Sequence, residues 1–222
     1  MAAPAPDQAE GGLAAYRRRV AAEKRGAILD GAVETFLAVG YDRATLEVIA
    51  QRAGVSTGTL FKHFPTKAAL FGAIMARIWE VDAEAPGTRV GAAAPDLAGC
   101  LAEIGRDYAR LLRAPHVEGL FRVVVAEVTR FPELGRELYA RGKKPWLDRL
   151  YEELTARVRA GQAAIDDVPL AARQFLGMIN DIIFWPRLLV TDLAIDKFEV
   201  DRVVEAAVAT FLTRYGPSKP AK

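Results

Sequence analysis

An all-α fold is what this sequence predicts, and three observations predict it. No segment alternates apolar and polar residues over the length of a strand. Apolar residues instead recur at i, i+3, i+4 and i+7 in one segment after another, the period of a helix with one buried face. Glycines and prolines fall between those segments, where helices stop. The elements sort into an N-terminal three-helix helix-turn-helix domain, joined through helix four to a larger helical domain.

Residues 1–15 are Ala, Pro, Gly and polar residues without period, the composition of a disordered tail. Helix one is expected from about Val20 to Val39, with Ile28, Ala32, Phe36 and Val39 as its buried stripe. Gly40 caps its end and Tyr41 begins a loop.

The stretch Leu46 to Pro65, LEVIAQRAGVSTGTLFKHFP, reads as helix, tight turn, helix. Leu46, Ile49, Ala50 and Ala53 share one helical face. Thr45 stands where an N-cap belongs, with Glu47 in the first turn facing the positive helix end. Gly54 can take φ > 0 and reverse the chain. Ser56 or Thr57 caps the second helix, which runs to about His63. Leu60 points back to Ala50, whose small side chain lets the two helices cross closely. A small residue, a glycine four later and an apolar residue six after that make a helix-turn-helix, whose second helix enters the DNA major groove. That helix presents Ser56, Thr57, Thr59, Lys62 and His63, short or cationic groups with no carboxylate among them.

Phe64-Pro65 breaks the chain, Thr66 caps helix four, and Lys67 lies in its first turn. A cation opposes the dipole there. A nearby phosphate would reverse that penalty, so Lys67 is a candidate backbone contact. Helix four, about Lys67 to Asp82, carries Leu70, Phe71, Ile74, Met75, Ile78 and Trp79 on a wide apolar face, and Ala85 to Pro95 reads as a loop. Further helices are expected at Leu97–Arg113, from Pro115, at Glu133–Arg141, at Pro145–Ala160 after a Gly142–Pro145 interruption, from Pro169 to about Val190, and from Asp196 or Lys197 to near Tyr215. In the helix after Pro115, residues Leu120, Phe121, Val124, Val125 and Val128 are expected inside. Residues 216–222 read as a second disordered tail.

Composition excludes several classes. Of 222 residues half are apolar, enough for a sizeable core. Cys100 is the single cysteine, so neither an internal disulfide nor a cysteine-cluster metal site is available. That suits a reducing cytoplasm. The first twelve residues lack the cationic and apolar regions of a signal peptide, and no apolar run approaches the eighteen residues of a membrane span. No GxGxxG, P-loop, HExxH or GxSxG motif occurs, so no enzyme class, cofactor or metal is indicated. Asp166, Asp167, Asp192 and Asp196 suit helix caps and surface positions better than a metal. Residues 17–67 hold nine Lys/Arg against five Asp/Glu, whereas residues 71–222 are balanced. The basic excess therefore sits with the helix-turn-helix, as phosphate binding requires. The run Arg17, Arg18, Arg19 suits either a solvated helix extension or an arm onto the DNA.

Lys24-Arg25, Ile28-Leu29, Ala32, Phe36, Gly40-Tyr41, Thr45, Ile49-Ala50, Ala53-Gly54-Val55-Ser56, Gly58-Thr59-Leu60-Phe61, His63-Phe64, Lys67 and Leu70 together resemble the N-terminal domain of TetR-family transcriptional regulators. The segment VVVAEVTRFPELGRELY also resembles one branch of that family's C-terminal domains. The resemblance implies DNA binding through Arg25, Thr45, Ser56, Thr57, Gly58, Thr59, Phe61, Lys62, His63 and Lys67. It implies a DNA-binding domain at 17–70 and a ligand-binding and dimerisation domain at 71–215. Phe61 stands where the family usually has a tyrosine that reaches a DNA phosphate; a phenyl ring can pack but cannot donate. The partners implied are a palindromic double-stranded operator, a second copy of the chain and a small-molecule effector.

Apolar surface on Phe175–Leu189 and Val203–Leu212 is enough for a four-helix dimer interface, with Phe175, Met178, Ile182, Phe184, Val204, Val208 and Phe211 as its candidates. The aromatic-rich set Met75, Trp79, Tyr108, Phe121, Val125 and Phe184 is the candidate ligand lining, in a cavity between helices. Asn180 and Asp181 interrupt an apolar helix and need polar partners, in the core, across an interface or on a ligand. Cys100 reads as a small buried apolar residue. The competing reading is an all-α carrier or enzyme with a vestigial helix-turn-helix, which binds no duplex.

Overall fold

The computed structural model describes residues 6–81, 96–194 and 196–217. Regular structure among them is helical throughout. The chain divides into two compact units, Met1–Ile74 and Met75–Lys222. The expected loop at Ala85–Pro95, and the tail beyond Pro217, lie outside the described residues.

The N-terminal unit opens with α1, Pro6–Arg43, far longer than its buried stripe requires. Residues 13–25 are mostly Leu, Ala, Arg, Lys and Glu, strong helix formers that need no core to stay helical. Arg19 and Glu23 add an i,i+4 ion pair at 3.5 Å. The helix therefore takes up Pro6 to Ala15, which composition alone assigns to a disordered tail; residues 1–5 lie outside the described residues.

Gly40, at φ 79° and ψ 172°, breaks the helix, and the turn after it folds Tyr41 inward instead of starting a loop. Phe36, Tyr41 and Phe71 then meet as three rings with centroids 5.4–6.0 Å apart. Around them lie Ile28, Leu29, Ala32, Ile49, Leu60 and Leu70, all essentially inaccessible. Val39, expected inside, is exposed, because the stripe of α1 ends at Phe36. Three shorter elements complete the unit: α2 (Leu46–Arg52), α3 (Thr57–His63) and the start of α4 (Lys67–Val81). At the crossing of α1 and α2 a Cβ on Gly31 would stand 3.2 Å from the Ala53 backbone nitrogen, so a side chain there would push the helices apart.

The C-terminal unit takes the rest of α4, then α5 (Leu97–Leu112), α6 (Val117–Glu127), α7 (Pro132–Glu137), a π-helical segment (Leu138–Lys143), α8 (Lys144–Arg159), α9 (Val168–Ile183), α10 (Trp185–Leu189) and α11 (Lys197–Tyr215). Helices α5, α9 and α11 converge on Gly105. A Cβ there would lie 2.8 Å from Val204 Cγ1 and 3.1 Å from Ile179 Cδ1. The caps are those the sequence offers: Asp96 accepts from the Gly99 N–H at 2.7 Å and Asp196 from the Glu199 N–H at 2.7 Å.

Two helix boundaries differ from the sequence expectation. The Gly142–Pro145 interruption is absent, and the chain stays helical from Pro132 to Arg159. Pro145 closely follows the π-helical segment, whose wider turn lets the helix continue past a residue without an N–H. The wider π-turn before it brings Gly142 against the Trp79 indole, where no side chain would fit. The helix expected to run to Val190 instead ends at Ile183. Pro186 cannot bond back to the carbonyl four residues earlier, so a separate short helix follows. Arg122 secures the end of α10, donating to the carbonyls of Leu188 at 2.9 Å and Arg187 at 2.8 Å.

Candidate functional site

Helices α2 and α3 form the turn that the sequence predicts. Thr45 caps α2, its hydroxyl accepting from the Val48 N–H at 3.3 Å. The Glu47 carboxyl is held below the usual carboxylate range by its own backbone N–H and then by the Thr45 hydroxyl. Gly54, at φ 64°, reverses the chain. Of the two possible caps for α3, Ser56 is the one used: it accepts from the Thr59 N–H at 3.2 Å, and its Oγ lies 2.9 Å from Thr59 Oγ1. Leu60 is fully buried and Ala50 nearly so, which locks the pair of helices.

Burial then decides which side chains α3 presents. Ser56, Gly58, Phe61 and Lys62 are exposed, while Thr57, Thr59 and His63 are half-buried. Phe61 is 44% exposed, a large ring with no interior to enter. A Cβ on Gly58 would meet nothing within 4 Å, so nothing in this chain requires a glycine there. Arg25 lies over the Phe64 ring, 5.5 Å from its centroid, at the other end of α3. Val48, to which the sequence reading assigned no role, is 44% exposed on α2.

Lys67 also has partners within the chain. Its ammonium donates to the Tyr41 carbonyl at 2.5 Å and to the Asp42 carbonyl at 3.1 Å, and lies 4.4 Å from the Tyr41 ring centroid. It ties the start of α4 to the end of α1. Carbonyls at a helix C-terminus attract a cation as a phosphate would, and sequence spacing cannot tell the two apart.

In the C-terminal unit the candidate interface residues separate by burial. Phe175, Phe184, Val204 and Phe211 belong to the protomer's own core, with Phe175 and Phe211 stacked edge to face at 5.7 Å, so they are corrected from surface to core. Val208 lies at the margin at 9% exposed. Met178 and the 44%-exposed Ile182 line an open groove of about 530 Å³ between α9 and α11, with Asp181, Arg202, Ala206 and Thr210. A helix with two apolar stripes offers no sequence rule for which faces home.

The candidate ligand residues also divide. Trp79 and Tyr108 share the core, with Tyr108 stacked on Trp146 at 5.2 Å. The Tyr108 hydroxyl donates to Asn180 Oδ1 at 3.4 Å, which gives Asn180 a partner within its own chain. Burial pushes the Tyr108 phenol up to about 12. Met75 is buried, and Phe121 and Phe184 pair edge to face at 4.9 Å. Val125 is 63% exposed and lines no interior, because Leu120 and Val124 set the buried face of α6. Cys100 is fully buried; desolvation and then the Glu153 carboxylate push its thiol up to about 12, and it donates to Glu153 Oε1 at 3.5 Å. Among the described residues no helix is long and apolar enough to cross a membrane, and no cluster of three or more His, Cys, Asp or Glu could hold a metal.

Residues 28–74 match the family model described as bacterial regulatory proteins, tetR family, and residues 99–217 match the AefR-like transcriptional repressor C-terminal domain. The HTH-type transcriptional regulator RutR of Escherichia coli is 40% identical over 65 residues, 29% of this chain and 31% of that protein. The HTH-type transcriptional repressor Rv1474c of Mycobacterium tuberculosis is 44% identical over 69 residues, 31% and 33% of the two chains. The matched part thus spans about a third of the length of these curated relatives. A TetR-family transcriptional regulator from Mesorhizobium loti superposes with a TM-score of 0.76 at 28% identity, over 88% of this chain and 98% of that one. The flavonoid-responsive regulator FrrA superposes with a TM-score of 0.73 at 26% identity, over the same shares.

Proposed function

Because the chain belongs to the TetR family of transcriptional regulators, we propose that it is a homodimeric repressor that binds a palindromic operator and is released from it by a small, largely apolar effector. The observation that carries this reading is the outer face of α3. It offers a hydroxyl, a gap at Gly58, an exposed ring and an ammonium, and no carboxylate. Hydroxyls and cations position a protein on phosphates, and an apolar ring can contact a thymine methyl. Ser56, Thr57, Gly58, Thr59, Phe61, Lys62 and His63 are the proposed contacts from α3. Thr45 and Arg25 supply contacts from its flanks.

A dimer with two-fold symmetry reads two inverted half-sites, one recognition helix in each. We place its interface on the groove between α9 and α11, where Met178 and Ile182 are open to a partner. Asp181 and Arg202 line the same groove and bring opposite charges to a self-complementary surface. For the effector, the Trp79, Tyr108 and Trp146 rings favour a flat apolar molecule, and the similarity to the flavonoid-responsive regulator FrrA supports an aromatic one. Helix α4 begins in the N-terminal unit at Lys67 and continues in sequence into the C-terminal unit. An effector that binds one tilt of α4 better than another shifts the population by that difference in affinity. A DNA-binding repressor works in the cytoplasm.

Binding of the full chain to duplexes from its own upstream region, followed by fluorescence anisotropy at several salt concentrations, tests the reading. Tight binding that weakens steeply with salt and exceeds binding to scrambled duplex supports it. Equal, weak binding to every duplex would favour an all-α carrier instead.

A further inference from the structure

We propose that the C-terminal unit holds a second small-molecule site, distinct from the aromatic core, that takes an organic anion: a carboxylate or phosphate ester with a short apolar body. The site is an open cavity of about 530 Å³ between the end of α5 and the start of α11. Small-molecule sites commonly measure a few hundred to about a thousand Å³. Arg106, Arg110 and Arg113 line it, with Asp201 as the one carboxylate in the wall and Pro115 and Val200 as apolar surface.

The sequence explains why the three guanidiniums meet. Positions 106, 110 and 113 are i, i+4 and i+7, so one face of α5 carries all three. Like charges at i,i+4 destabilise a helix. The helix dipole offsets this for cations in the last turn, which accounts for Arg110 and Arg113. Arg106 lies a turn and more from that end, and its pairing with Asp201 is a loose 3.7 Å. Arg110 is held by Asp107 at 2.8 Å, which fixes the guanidinium while four of its five N–H groups remain to share. The side chains of Arg106 and Arg110 are 48% and 53% exposed, so an anion can reach both.

The residue that follows the lining Pro115 has an unusual backbone. His116, directly after Pro115, has φ 70°, the one positive φ outside glycine among the described residues. It stands at the N-cap position of α6 without forming a side-chain cap. A non-glycine residue held in that region costs on the order of 1–3 kcal/mol and tends to mark ligand clamps. The planar fork of arginine matches carboxylate and phosphate oxygens in pairs, which sets the ligand class.

Calorimetry on the full chain at fixed ionic strength tests this with benzoate, phenyl phosphate, inorganic phosphate and neutral benzyl alcohol as probes. We expect benzoate or phenyl phosphate to bind saturably, one per chain. The tighter of the two identifies the oxygen chemistry, and inorganic phosphate should bind more weakly because Pro115 and Val200 gain nothing from it. R110Q/R113Q should weaken binding by roughly tenfold or more, the loss of one or two charge-assisted hydrogen bonds. D201N should tighten it a few-fold by removing the competing carboxylate from Arg106. These variants lie outside the helix-turn-helix, so operator binding is scored separately and either result stands without the other. The proposal is overturned if no probe saturates, if inorganic phosphate binds as well as phenyl phosphate, or if D201N and R110Q/R113Q leave the affinity unchanged while both melt like the parent chain.

Discussion

Replacing Lys67 by methionine keeps the aliphatic stem and removes only the ammonium. In the folded chain that ammonium donates to the carbonyls of Tyr41 and Asp42 and lies over the Tyr41 ring in a cation–π contact. A hydrogen bond from a charged donor contributes about 1.5–3 kcal/mol when well buried, and a cation–π contact about 0.5–1 kcal/mol at an exposed site. Lys67 is half-buried, so solvent screening brings each contact well below those figures. The loss should total about 1–3 kcal/mol and fall on the N-terminal unit. Urea denaturation measures it, and salt titrations of DNA binding run beside it. A residue that ties α4 to α1 loses stability and leaves the slope of log K against log salt nearly unchanged. A phosphate contact does the reverse, lowering the slope by about one unit at wild-type stability. Lys62→Ala provides the second pattern on the same protein, since Lys62 is exposed on α3. If Lys67→Met unfolds at the wild-type midpoint and loses a full unit of slope, the assignment of Lys67 as a tie is wrong.

Three further outcomes follow from the packing. Gly105→Ala puts a methyl 2.8 Å from Val204 Cγ1 and should destabilise the C-terminal unit by about 1–3 kcal/mol, read from thermal melting. Ile182→Glu should convert the dimer to folded monomers in sedimentation, whereas Phe211→Glu, at a position 1% exposed, should unfold the unit outright; folded monomers from both would put the interface back on Phe211. Burial raises the Cys100 thiol from 9.0 and the Tyr108 phenol from 10.0, each to about 12. The unfolded chain ionises first, so stability holds below pH 9 and falls as pH rises toward 12. Cys100→Ala should delay that fall to near the ordinary phenol value of 10.0, and urea midpoints between pH 7 and pH 11 check it.

The helix-turn-helix was the most legible part of the chain. Its signals are local: a stripe at helical spacing, a hydroxyl cap, one glycine at positive φ and a buried leucine. Each acts within a few residues, so no distant partner is needed to interpret it. The carbonyl partners of Lys67 were hidden because they lie 25 and 26 residues back in the chain. The burial of Phe175, Val204 and Phe211 was hidden for a related reason. Their helices are apolar on more than one side, and only the convergence on Gly105 decides which side is interior. Val125 failed inside a run of three valines, where composition hides the period. The uninterrupted path from Pro132 to Arg159 depends on a π-turn against Trp79, for which glycine and proline alone suggest a break. The arginine cavity was invisible because its walls, α5 and α11, are some ninety residues apart in sequence.

The most direct test compares the wild-type chain with a Ser56→Ala/Lys62→Ala variant on a duplex from its own upstream region and on a scrambled duplex. The wild type should prefer its own duplex, the preference should fall steeply in the variant, and both proteins should melt at the same temperature. A variant that keeps the full preference, or a wild type that has none, would contradict the placing of α3 on the operator.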